Sequence, residues 1–259
     1  MALSAFELSE LRGAKELLEN PGLAAKLSNY VGTPIEKALK RLPDSMSVTV
    51  NDITRKSIEK ALDIALLTMD KDVKEASSNW WHKLAVGATG ATGGLFGLPG
   101  LAIELPISTT IMLRSIADIA RSEGEDLSCP VARLQCVQVL ALGGKSKSDD
   151  GTEAGYFAAR TALAKSISEA AAHLTKKGLS QQGAPAIVRL ISHVASRFSI
   201  VVSEKAAAQA VPVVGAFGGA AINTLFIDHF QDMGRGHFIV RRLERLHGQE
   251  EVRRLYDEL

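Results

Sequence analysis

The chain has only two cysteines, Cys129 and Cys136, in 259 residues. Seven apart in a stretch of helical periodicity, they form no disulfide framework and read as small buried side chains in a reducing compartment. Charge of one sign is missing too. The formal net charge of +1 gives no overall field that would recruit nucleic acid. The opening MALSAFELSELRGAKELLEN lacks the basic region and apolar core of a signal peptide, and Glu7 and Glu10 argue against one. The expected location is the cytoplasm, or the cytoplasmic face of a membrane. Known phosphate cradles fail on spacing. Gly144-Lys145-Ser146 imitates the end of a P-loop, but Val139 stands where its first glycine belongs, and Asp149 and Asp150 follow. Residues 87–100 contain no G-x-G, so the dinucleotide fingerprint is absent. G-x-S-x-G, H-E-x-x-H and cysteine-rich zinc spacings are missing as well. No cofactor and no metal is expected.

Two long uncharged stretches, rich in glycine and alanine, stand out. Leu84–Ile103 is followed after Glu104 by the apolar run Leu105–Leu113, and Ala206–Ile227 is the second. Each approaches the roughly 20 apolar residues that a helix needs to cross a bilayer. Both are interrupted by proline and crowded with glycine, which a simple span is not. Hydrophobic residues make up 46% of the chain and mean hydropathy is +0.08, high for a soluble protein and low for a polytopic one. Small residues recur four apart, at Gly90 and Gly94, Gly93 and Gly97, and Gly215 and Gly219, a spacing that lets helix backbones approach closely. Leu98-Pro99-Gly100 reads as a reverse turn, which would make the first stretch a hairpin. Two readings follow: packed helices inside a soluble core, or a hairpin set part-way into lipid.

Elsewhere helical periodicity dominates. Leu3–Leu18 suits an amphipathic opening helix stopped by Asn20-Pro21-Gly22, and Leu23–Leu42 resumes the pattern across Thr33-Pro34. Residues 45–52, SMSVTVND, alternate as a strand would but have no partner, and read as linker. Thr54–Thr68 is a clear amphipathic helix. Pro106 opens a helix through Arg121, and Ser128 caps another with Pro130 in its first turn. Residues 143–151 read as a solvated loop, with helices at about 153–176 and 184–203, and a basic amphipathic tail over His237–Leu259. The expected fold is all-α, a multi-helix domain with the two glycine-rich helical regions packed together. Residues 1–52 read as an N-terminal helical extension and 53–259 as the main domain.

Polar residues near the apolar stretches are the candidate sites. Glu104, Arg114 and Asp118 return to one helix face and are expected to pair in a network that fixes helix register, with Asn223 in a buried hydrogen-bonding role. Glu104, Asp118, His229 and His237 are the catalytic candidates, should they converge in a cleft. Asp228, His229, Asp232 and His237 match no metal-ligand spacing. Trp80-Trp81 with Lys83 suit a headgroup zone, as do Arg241, Arg242 and Arg245 on the amphipathic tail.

Four segments, GATGATGGLFGLPGLAIELP (87–106), MLRSIADIARSEGEDLSCP (112–130), VPVVGAFGGAAINTLF (211–226) and GHFIVRRLERLHG (236–248), resemble the EcsC protein family in content, order and spacing. The resemblance extends from about Trp80 onward. It implies a bacterial setting, the family being named for a gene beside an ABC transporter, but no substrate or reaction. The leading expectation is a membrane-surface-associated protein, lipid-binding or transport-accessory, with membrane lipid or a transport component as partner and no nucleic acid. Its binding to anionic lipid would weaken with salt. A hydrolase with an acidic and histidine cleft, and a soluble helical interaction module, are the alternatives.

Overall fold

The computed structural model describes residues 3–19, 22–32, 34–40, 44–68, 97–143, 155–177, 184–211 and 215–259. Among them are ten helices and no strand. They are α1 (Ala5–Glu19), α2 (Leu23–Val31), α3 (Ile35–Leu39), α4 (Asp44–Thr68) and α5 (Gly97–Ser122). There follow α6 (Pro130–Leu142), α7 (Gly155–Lys177), α8 (Pro185–Gln209), α9 (Gly215–His247) and α10 (Gln249–Glu258). The fold is all-α, as the periodicity predicts.

Local chemistry sets several boundaries. Pro130 and Pro185 occupy the first turns of α6 and α8, where a missing N–H costs no hydrogen bond. Gly32 at φ 67° closes α2, Gly124 at φ 78° follows α5, and Gly248 at φ 91° separates α9 from α10. In that left-handed region a side chain would clash with its own backbone.

Four expectations are corrected. Residues 45–52 are not linker but the first turns of α4. Their alternation does not place valines on one face of a sheet: Val50 is buried while Val48 is 64% exposed. Packing against α5 and α8 overrides a weak strand preference. Pro106 does not open a helix but lies inside α5, which starts at Gly97. Leu98-Pro99-Gly100 is then the first turn of that helix rather than a reverse turn, and Pro99 is tolerated there. Around Pro106 the hydroxyls of Ser108, Thr109 and Thr110 donate to the carbonyls of Glu104, Leu105 and Pro106. Such bonds to the carbonyl four residues back satisfy buried hydroxyls within the helix. Finally, Ala206–Ile227 is not one apolar element. Its beginning is the end of α8, and from Gly215 it opens α9.

The main core joins Leu27, Ile58, Met112, Leu140, Phe198 and Phe226, all fully buried. Helices α2, α3, α4, α6 and α7 all pack on α8, and α4 also lies along α5. The 33-residue α9, about 50 Å long at 1.5 Å per residue, packs on α1 and α5. A smaller cluster of Leu11, Tyr156, Phe157, Leu243, Val252 and Tyr256 ties α1, α7, α9 and α10 together. The boundary expected at residue 52 falls inside α4, and Leu23, Leu27 and Ile35 belong to the main core. The close approach to α5 comes at Gly234, where a Cβ would lie 3.4 Å from Ile116 Cγ1, whereas at Gly219 it would meet nothing within 4 Å. Gly90, Gly93 and Gly94 lie outside the described residues.

Candidate functional site

The two uncharged stretches meet at one end of the molecule, around Lys205. Lys205 is fully buried near the end of α8, and its Nζ lies 2.5 Å from Glu104 Oε1 on α5 and 2.5 Å from Asn223 Oδ1 on α9. The ammonium also sits 4.4 Å from the centre of the Phe226 ring, so all its faces meet a carboxylate, an amide oxygen or a π-cloud. Gln209 Nε2 reaches the other Glu104 oxygen at 3.4 Å. Burial lowers the Lys205 pKa, and the Glu104 charge opposes that shift. Glu104 is the only charged residue between 84 and 113, and none lies in 206–227. Here Ala102, Ile103 and Ala220 face the outside, while Glu104 is committed to Lys205. Sequence reading singled out Glu104 and Asn223 but missed Lys205, which joins them. A signal existed: Glu104 directly follows the first uncharged stretch and Lys205, of opposite sign, directly precedes the second.

A second polar constellation lies under a cleft of about 480 Å³ between α6, α7, α9 and α10. At its base His237 is fully buried. Its Nε2–H donates to Gln135 Oε1 at 3.2 Å, which leaves Nδ1 to accept the Tyr156 hydroxyl proton at 3.0 Å. Arg160 Nη1 donates to the Tyr156 oxygen at 3.3 Å and, with Nη2, forks onto Glu244 at 2.7 and 2.9 Å. Burial drives the His237 pKa well below 6.5, helped by the positive charges of Arg160 and Arg241. The same burial pushes the Tyr156 hydroxyl up. A neutral histidine with both nitrogens engaged fixes one tautomer and orients Gln135; it is not poised to take a substrate proton. Of these residues the sequence flagged only His237. Arg160 and Glu244 are 84 positions apart and no local pattern joins them.

The other candidates lie elsewhere. Asp118 is exposed and pairs with Arg121 at 2.7 Å. Arg114, one turn before it on α5, has its pKa lowered by burial, with the Asp118 charge opposing. His229 is buried, with Nε2 3.2 Å from the Gly143 carbonyl and its pKa lowered to about 4, chiefly by burial. Asp232 binds Lys26 at 3.0 Å and Arg235 at 3.2 Å. Glu104, Asp118, His229 and His237 thus occupy four separate surroundings and share no cleft. Among the described residues no cluster of His, Cys, Asp or Glu is grouped for a metal.

The expected reading of the two cysteines holds for one of them. Cys136 is buried and its thiol is pushed up to about 12 by burial, but Cys129 is exposed just before Pro130. Trp80, Trp81 and Lys83 lie outside the described residues. The tail arginines face acidic partners within the fold. Arg241 forks onto Glu125 at 2.8 and 3.2 Å, and Arg245 pairs with the same carboxylate. Arg242 meets Glu10 at 2.7 Å and Glu123 at 2.8 Å. The periodic tail therefore clamps α1 and the turn after α5 rather than presenting a free basic face.

Comparison with known proteins agrees with the resemblance read from the four segments. The chain belongs to the EcsC protein family, whose sequence model matches residues 15–243. No curated protein and no solved structure matches it.

Proposed function

We propose that this EcsC-family protein works at the cytoplasmic surface of a membrane, as a lipid-binding or transport-accessory protein that catalyses no reaction of its own. The uncharged end formed by α5, α8 and α9 carries the reading. Glu104 there is neutralised internally by Lys205 at 2.5 Å, and Ile103 beside it stands 62% exposed. Gly100–Ser122 and Pro185–Gln209 are long and apolar enough to cross a membrane by length and composition, yet half of each is buried within the fold. Such helices suit an end seated in the headgroup boundary better than a free span. The hydrolase alternative needs Glu104, Asp118, His229 and His237 to meet, and their four separate surroundings speak against it.

The tail arginines contribute little to this contact, because Glu10, Glu123 and Glu125 already hold them. Salt should therefore weaken binding far less than a free basic helix would imply. Cosedimentation with liposomes of varied anionic content, at low and high salt, tests the proposal. The wild type should bind, with little loss at high salt, and Ile103→Glu should bind about tenfold less, since burying one such side chain contributes roughly 1.5–3 kcal/mol. A wild-type protein that stays in the supernatant with every liposome overturns the membrane reading.

A further inference from the structure

The cleft between α6, α7, α9 and α10 is independent of the uncharged end, and its lining points to a ligand. It measures about 480 Å³, within the range of small-molecule sites. Its floor holds two glutamines one helical turn apart, Gln135 at 8% and Gln138 at 2% exposure. The Gln135 carbonyl accepts from His237, so its NH₂ group is the part left to face the cleft. Gln138 has no side-chain hydrogen bond among the described residues. A deeply placed amide without a protein partner is bonded by whatever fills the cleft. Arg160, Arg241 and Arg253 stand in the walls; Arg160 is held by Glu244 and Arg241 by Glu125, each with N–H groups beyond those bonds, and Phe157 and Ile167 supply an apolar side.

The chemistry of these groups narrows the occupant. Glu244 already receives two Arg160 donors, at 2.7 and 2.9 Å, and Glu250, the other carboxylate lining the cleft, stands at the exposed start of α10, so the floor itself offers a cation no uncommitted carboxylate. A purely apolar guest would leave Gln135 and Gln138 unbonded. Guanidinium N–H and amide N–H groups all donate, and guanidinium forks match planar or tetrahedral oxyanions. We propose that this cleft binds a small organic anion, its phosphate or carboxylate on Gln135, Gln138 and the arginine wall, its apolar body against Phe157 and Ile167. A phospholipid headgroup and a free phosphomonoester share that chemistry. The His237 tautomer positions Gln135 for this contact, which makes His237 a positioning residue.

Calorimetric titration of the full chain with phenyl phosphate, inorganic phosphate, phenol and short-chain phosphatidic acid tests the proposal. Phenyl phosphate should bind more tightly than inorganic phosphate, and phenol should not bind. Tighter binding of phosphatidic acid than of phenyl phosphate would assign the anion to a lipid, and the reverse to a soluble metabolite. Gln138→Leu keeps volume and leaves the ion pairs intact, so it should fold and bind about tenfold more weakly, the loss expected of one hydrogen bond to a charged group. Arg253→Gln, at an exposed position on α10, should weaken binding. Occupancy should also shift the ring-nitrogen NMR signals of His237, which a distant surface site would leave alone. Failure of every anion to bind the folded wild type, or unaltered binding by both variants, overturns the assignment. Liposome binding by the uncharged end would stand in either case.

Discussion

Replacing Glu104 with Gln should expose the cost of burying Lys205 in a form that depends on pH. The substitution preserves shape and one acceptor oxygen, but the fully buried ammonium loses the only carboxylate it contacts at 2.5 Å. Removing one partner of a buried ion pair typically costs about 3–5 kcal/mol. An independent ceiling applies, because Lys205 can fold as the neutral amine. Neutralising a lysine of ordinary pKa near 10.4 costs about 1.4 kcal/mol for each tenfold step, or roughly 4.6 kcal/mol at about pH 7 and 1.9 kcal/mol at about pH 9. A base whose folded pKa is depressed binds fewer protons folded than unfolded, so stability rises with pH across that window. Glu104→Gln should therefore lose about 3–4 kcal/mol near neutral pH and less than about 2 kcal/mol near pH 9. Lys205→Met removes the charge itself and leaves Glu104, 19% exposed, able to reach water. It should cost less, without that pH dependence, and the double variant should resemble it. Urea unfolding followed by circular dichroism at both pH values measures all three. A loss under about 1 kcal/mol in Glu104→Gln, or one that does not shrink at high pH, refutes the assignment of Lys205 as a buried charge held by this carboxylate.

Two further outcomes follow from packing and titration. Gly236→Ala would place a Cβ 2.6 Å from Leu18 Cγ and 2.9 Å from the Ala14 carbonyl oxygen, whereas Gly219→Ala meets nothing within 4 Å. The first should lower stability by about 1–3 kcal/mol and loosen α1, the second should raise it by about 0.5–1 kcal/mol, and equal melting temperatures would contradict the close approach of α1 to α9. Acidification should unfold the protein as His229, lowered to about 4, and His237, well below 6.5, are forced to charge. Folded chains bind fewer protons there than unfolded ones, so stability falls as pH drops below about 6.5. Glu204 opposes this: burial, then the Glu36 charge, raises it to about 7, so its folded form holds a proton that the unfolded form releases above about 4.5. Glu204→Gln should therefore steepen the acid limb from about one proton to about two and add up to ~3 kcal/mol near pH 8; unchanged slopes in denaturation against pH would refute it.

How much of this was legible in the sequence depends on the range over which each signal acts. Helices with long amphipathic periods or proline and glycine punctuation were readable, because α1, α6 and the φ-positive glycines answer to local sterics. Residues 45–52 and Pro106 were misread because tertiary burial overrode a local preference: Val50 is 1% exposed inside a packed helix, and buried hydroxyls bond the carbonyls around the proline. The boundary at residue 52 rested on the strand-like pattern alone. Glu104 and Asn223 stood out as polar residues in uncharged surroundings, but Lys205 escaped notice because it sits beside Glu204 in an ordinary-looking helix face. The Arg160–Glu244 fork escaped altogether.

The tail shows why charge periodicity alone is a poor guide to function. A basic amphipathic tail with five arginines over His237–Leu259 reads as a basic surface when only its own sequence is considered. Its neutralising groups come from α1 and from the turn after α5, more than a hundred residues away, where Glu10, Glu123 and Glu125 wait in partly buried positions. Exposed ion pairs are worth little, but Arg241 at 18% and Glu125 at 6% side-chain exposure form a bidentate pair sheltered from solvent. The same arginines that suggest a lipid contact therefore hold α9 to α1 and to the turn after α5. That leaves apolar surface at the opposite kind of site, where charge is absent by sequence and cancelled by Lys205, as the better place to look for the membrane.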